Sequence, residues 1–115
     1  MEFNSSLPIH SQISENIRRR IASGGIKPGD RMKPVRELAL EWGVNPNTMQ
    51  RALAALESEG LLYAERTSGR FVTSDQEAIR RTREHLLREE VGRFTGAVTS
   101  LGLDIRDAIR ILEES

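Results

Sequence analysis

The residues whose chemistry stands out are polar and basic side chains near the start of one predicted helix, Asn47, Thr48, Gln50 and Arg51. In the major groove of B-DNA, amide side chains pair with adenine and guanidinium groups pair with guanine. Positions 47, 50 and 51 are three and four residues apart, so on a helix they share one face. The spacing therefore predicts a helix face that reads base edges.

Other chemistries lack the residues that they need. The chain has no cysteine, and its two histidines, His10 and His85, stand far apart. Neither a phosphate-binding loop nor a nucleophile with a nearby base is indicated by any spacing. We therefore expect no enzyme, no catalytic residue, no metal site and no cofactor.

Charge divides the chain into two parts. The 115 residues include 17 Lys+Arg and 17 Asp+Glu, but residues 1–74 hold ten basic and eight acidic side chains, against seven and nine in residues 75–115. The two parts therefore carry net charges of opposite sign, which suggests that they have different functions. No basic start leads into an apolar run, and no apolar run approaches the ~18 residues of a membrane span, so we expect a cytoplasmic protein with no membrane association.

Three helices must position the polar face. Isoleucines every four residues from Ile9 to Ile21 predict a helix over about 8–24. A second helix is predicted from Pro34 to Gly43, and a third from Pro46, with Asn45 as its cap, to Gly60. The short link between the last two predicts a helix-turn-helix.

Two β-prone runs follow Gly60 and surround a turn at Thr67, Ser68 and Gly69. They predict a hairpin whose tip carries Arg66, Gly69 and Arg70. The fold class is therefore mainly α (α+β): an N-terminal winged helix-turn-helix domain, residues 1–74, followed by a helical tail of two helices, residues 75–115. A winged helix of this kind places one helix in the major groove of DNA.

The tail is predicted to contain a long helix over about 75–101 and a closing helix capped by Asp104. Its apolar stripe is expected to be covered by a second copy of the chain rather than by the same chain. The predicted dimerisation residues are Leu87, Val91, Phe94, Val98, Leu101, Ile105, Ile109 and Leu112.

Two glycines, Gly92 and Gly96, lie inside the long helix, where each costs roughly 1 kcal/mol relative to alanine. Close approach of another helix, a bend, a cavity for an unidentified small-molecule effector, or mere tolerance accounts for them equally well.

The N-terminal part also resembles a known family. The segments that carry the resemblance are IKPGDRMKPVRELA (26–39), GVNPNT (43–48), RAL (51–53), EGLL (59–62) and GRFV (69–72). In this order they are similar to the N-terminal domain of GntR-family bacterial transcription regulators, over residues 8–74. The short tail resembles the YtrA-type branch. The resemblance implies a homodimer that binds a palindromic DNA operator, and we expect a repressor.

The family's DNA-contacting positions correspond here to Arg36, Asn45, Asn47, Thr48, Gln50 and Gly69. Arg51 and Arg70 are added because of their charge and facing. Where the family has Leu-Pro-Ser, this chain has Met32, Lys33 and Pro34, so Lys33 is expected to replace the serine's contact.

Four of these residues have alternative interpretations, and for Asn47 and Gln50 the alternative is a solvated polar side chain that contacts no DNA. Arg36 could pair with Glu37 or Glu41 on the helix surface, and Asn45 could serve only as a cap. For the whole chain, a second function class is a winged-helix module that binds a protein partner and no DNA.

Overall fold

The structure is a computed structural model that describes residues 2–115. Within this range the elements are α1 (Ile9–Ser23), α2 (Val35–Trp42), α3 (Pro46–Ser58), β1 (Leu62–Glu65), β2 (Gly69–Val72), α4 (Gln76–Ser100) and α5 (Ile105–Glu114). The predicted fold class, helices before and after a two-stranded hairpin, is confirmed. The chain folds as two compact units, residues up to Arg83 and Glu84–Ser115.

Short local signals set the ends of α2 and α3. Pro34 precedes α2, and Gly43 ends it in the left-handed region with φ of 67°. Asn45 caps α3, and Pro46 occupies its first turn, where a missing N–H costs nothing. Only residues 43–45 separate the two helices, as the sequence predicted.

The core of the first unit joins α1 to α3. Ile13, Ile17 and Ile21 of α1 are buried with Met49 and Leu53 of α3. The predicted helix is present as α1, and Ile9, in its opening turn, is 43% exposed. The buried residues of the core cluster are Ile13, Ile17, Ile21, Met32, Leu38, Ala39, Met49, Ala52, Leu53, Leu56, Leu61, Leu62, Val72 and Ile79.

One polar contact fixes how α1 meets α3. The hydroxyl of Ser14 is buried and donates to the carbonyl of Ala52 at 2.9 Å, across 38 positions of sequence. At the edge of the same core, Trp42 is half-buried and its ring stacks on Phe3 with 6.5 Å between ring centroids.

The hairpin is bound to the segment that precedes α2. β1 and β2 pair antiparallel, with Tyr63 opposite Phe71. An isolated bridge joins Arg31 to Phe71, and the Met32 N–H donates to the Arg70 carbonyl at 2.8 Å. The chain before α2 therefore runs beside β2 as a short third strand.

The second unit contains the end of α4 and all of α5. Asp104 begins α5 with a capping box, in which its carboxylate accepts from the N–H of Arg106 at 2.8 Å while Asp107 bonds back to the Asp104 N–H. Hydrogen bonds from Arg106 hold the pKa of Asp104 below its ordinary value. The predicted cap is therefore present.

The predicted apolar stripe of the tail is largely exposed. Leu87, Val91, Phe94, Leu101, Ile109 and Leu112 are exposed large hydrophobics. Ile105 is half-buried, and Val98 is only 8% exposed. In the single chain α5 has no buried residue. A Cβ at Gly92 or Gly96 would meet no described atom within 4 Å, so contacts within the chain do not require these glycines.

None of the helices described over residues 2–115 is both long enough and apolar enough to cross a membrane.

Candidate nucleic-acid interface

The outward face of α3 carries the predicted polar residues. Asn47, Gln50 and Arg51 are exposed, and Thr48 is half-buried. Met49, on the opposite side of the helix, is fully buried. Within residues 2–115, neither the amide of Gln50 nor the guanidinium of Arg51 has a hydrogen-bonding partner or an ion pair. The face is therefore held rigidly from behind while its donors and acceptors remain free.

Asn45 uses one end of its side-chain amide to cap α3. Its Oδ1 accepts a hydrogen bond from the Asn47 N–H at 2.7 Å. The NH₂ group of the same amide stays available as a donor. Capping and a contact to DNA phosphate are thus compatible at this residue.

We expect Asn45→Ala to lower the free energy of unfolding by about 1 kcal/mol, because the Asn47 N–H loses its acceptor. Urea unfolding of the full chain measures the change. Asn45→Ser is the matched control, since serine also caps helices, and it should lose less. Equal stability of the alanine variant and the wild type would contradict the cap's role.

Lys33 forms an ion pair within the chain, whereas Arg36 does not. Lys33 Nζ lies 2.5 Å from Glu41 Oε1, and this hydrogen bond raises the pKa of Lys33. Arg36 is exposed in the first turn of α2, and in the described part of the chain it forms no ion pair. The alternative that Glu37 or Glu41 neutralises Arg36 is therefore not what the structure shows.

Arg70 of the wing is engaged within the chain. Its Nε donates to Glu57 of α3, and its side chain is only 17% exposed. Gly69, the preceding residue, is exposed with φ of 100°, a conformation that glycine adopts with little strain. Lys33, Gly69 and Arg70 line one groove together with Arg31, a residue that no sequence pattern indicated.

The match to known proteins covers this helix-turn-helix and its wing. The family model described as "Bacterial regulatory proteins, gntR family" matches residues 9–72. The chain belongs to the GntR family. The family resemblance seen in the sequence is therefore confirmed, and members of the GntR family are regulators of transcription rather than enzymes.

Two curated GntR-type relatives come from Bacillus subtilis (strain 168). The HTH-type transcriptional regulator YhcF is 35% identical over 102 residues, which cover 89% of this chain and 84% of YhcF. The HTH-type transcriptional repressor YtrA is 38% identical over 71 residues, or 62% of this chain and 55% of YtrA. The likeness to YtrA agrees with the branch that the short tail suggested.

Two solved structures resemble this chain, and one of them contains operator DNA. A GntR family transcriptional regulator from Listeria monocytogenes has a TM-score of 0.89 at 32% identity and covers 98% of this chain and 99% of its own. The DNA-binding domain of AraR in complex with operator ORR3 has a TM-score of 0.56 at 36% identity, covering 64% of this chain and 86% of its own.

In this GntR domain a further basic residue supports α3 instead of facing outward. Arg18 of α1 donates from Nε and Nη2 to the two carboxylate oxygens of Glu59 at 2.7 and 2.6 Å. The paired hydrogen bonds raise the pKa of Arg18. Arg18 therefore ties α1 to the residue that ends α3, a structural role.

Proposed function

We propose that this GntR-family chain is a cytoplasmic, sequence-specific repressor that binds a palindromic operator as a homodimer. The observation that carries the proposal is the unpartnered face of α3, where Gln50 and Arg51 offer hydrogen-bonding groups above a buried core. The domain of AraR, a relative with the same fold, binds an operator, and the relative YtrA is a named repressor.

The two parts of the chain that the sequence predicted are proposed to have separate roles. Residues 1–74 hold the proposed DNA-binding residues: Lys33, Arg36, Asn45, Asn47, Thr48, Gln50, Arg51 and Gly69. Residues 75–115 supply the dimer contact, because a stripe of exposed apolar residues on α4 and α5 is costly in water unless a second copy covers it. An effector bound near the tail stays a prediction.

Selection of bound sites from random duplex DNA tests the function and supplies the operator. On that operator, Gln50→Ala should cost about 1–3 kcal/mol of binding and relax the preference at one base pair, because Gln50 lies on the outward face. Arg36→Ala should weaken operator and unrelated DNA alike, as expected for a phosphate contact.

Gln76→Ala provides the matched control, since Gln76 is an exposed glutamine at the start of α4. It should leave both affinity and base preference unchanged. If the wild-type chain enriches no sequence and shows no salt-dependent association with DNA, the protein-interaction module becomes the better explanation.

A further inference from the structure

In the sequence, Arg31 lies outside both the helix-turn-helix and the hairpin that forms the wing. The structure nevertheless places it beside that hairpin. It lies opposite Phe71 in the short strand beside β2. Residues paired across neighbouring strands point to the same face of a sheet. Arg31 therefore shares the face of Phe71 and Tyr63, whose rings stack with 5.7 Å between centroids.

The guanidinium of Arg31 reaches the exposed glycine of the wing. A Cβ at Gly69 would stand 3.5 Å from Arg31 Nε and 3.6 Å from Nη2. Because glycine has no such atom, the guanidinium stays uncovered on that side. Arg31 is exposed, and across residues 2–115 no carboxylate forms an ion pair with it.

Arg70 lies on the other face of the same sheet. Successive residues of a strand point to opposite sides, so the side chain of Arg70 is turned away from the face of Phe71, although the residue borders the groove that Arg31 and Gly69 line. On its own face it meets Glu57 of α3 and is largely buried. A guanidinium held by a carboxylate in this way is poorly placed to neutralise a phosphate, but it does fix the wing against α3.

We propose that Arg31, and not Arg70, is the cation with which the wing contacts the phosphate backbone of DNA beside Gly69. Arg70 is a positioning residue that acts through Glu57. A planar guanidinium suits phosphate because it can donate two parallel hydrogen bonds. The inference rests on the proposed DNA-binding function and corrects the role that the sequence assigned to Arg70.

The salt dependence of binding separates the two arginines. The full chain is titrated with its selected operator and with an unrelated duplex over a range of salt concentrations. Arg31→Ala should weaken binding to both and reduce the slope of log K against log salt by about one, since one phosphate contact is lost. Arg31→Lys keeps the charge and should restore most of the slope.

Arg70→Ala should leave the slope unchanged, as should the control Arg81→Ala, which removes an exposed arginine of α4. A reduced slope for Arg70→Ala, or an unchanged slope for Arg31→Ala, would overturn the assignment. Neither result would affect the proposed function, which is tested separately by whether the wild-type chain binds DNA and selects a sequence.

Discussion

Replacing Leu53 by alanine is expected to lower the free energy of unfolding by about 3 kcal/mol, within the range of roughly 2–5 kcal/mol for leucine-to-alanine changes in cores. Leu53 is fully buried beneath the outward face of α3. Its removal loses apolar burial and leaves a cavity that the packed core only partly fills. Small domains have total stabilities of about 5–15 kcal/mol, so this loss is a large share.

Urea unfolding followed by far-ultraviolet circular dichroism measures the change. The chain offers a matched control in Leu40 of α2, which is 83% exposed. Leu40→Ala should alter stability by no more than about 0.5 kcal/mol. If the two variants differ by less than about 1 kcal/mol, Leu53 does not anchor α3 as the structure indicates.

The second large effect concerns the tail. Joint replacement of Val91 and Phe94 by aspartate is expected to convert the proposed dimer into a monomer. Both side chains are exposed in the single chain, and like charges brought together at a helix–helix contact repel each other. Because two linked binding modules gain about 10²–10⁴ in avidity, operator affinity should fall by about 10² or more.

Sedimentation gives the mass of the chain, and operator titration gives the affinity. Ser100→Asp introduces one aspartate at an exposed position of α4 outside the stripe, and this variant should remain dimeric. A wild-type chain that is monomeric at micromolar concentration would refute the dimer outright. A dimer that survives the paired aspartates would place its contact elsewhere on the chain.

Signals close together in the sequence predicted most of the fold. Asn45 and Pro46 marked the start of α3, Gly43 marked the end of α2, and Asp104 marked the start of α5. Each is a local preference, since a cap or a positive φ depends on a few neighbouring residues. The exposed face of α3 followed from helical spacing alone.

Contacts between distant residues could not be predicted in the same way. The bridge between Arg31 and Phe71 spans 40 positions of sequence, and no local pattern predicts it. Arg70 was interpreted from its charge, but its pairing with Glu57 appears only when β2 lies against α3. Lys33 likewise meets Glu41 only after α2 has folded. Charge therefore identified candidates for DNA contact, while tertiary pairing decides which of them remain free.

The stacking of Trp42 on Phe3 has a practical consequence. Trp42 is the sole tryptophan of the chain, and as the last residue of α2 it packs at the edge of the core. Its fluorescence emission should therefore shift when the first unit unfolds and water reaches the indole.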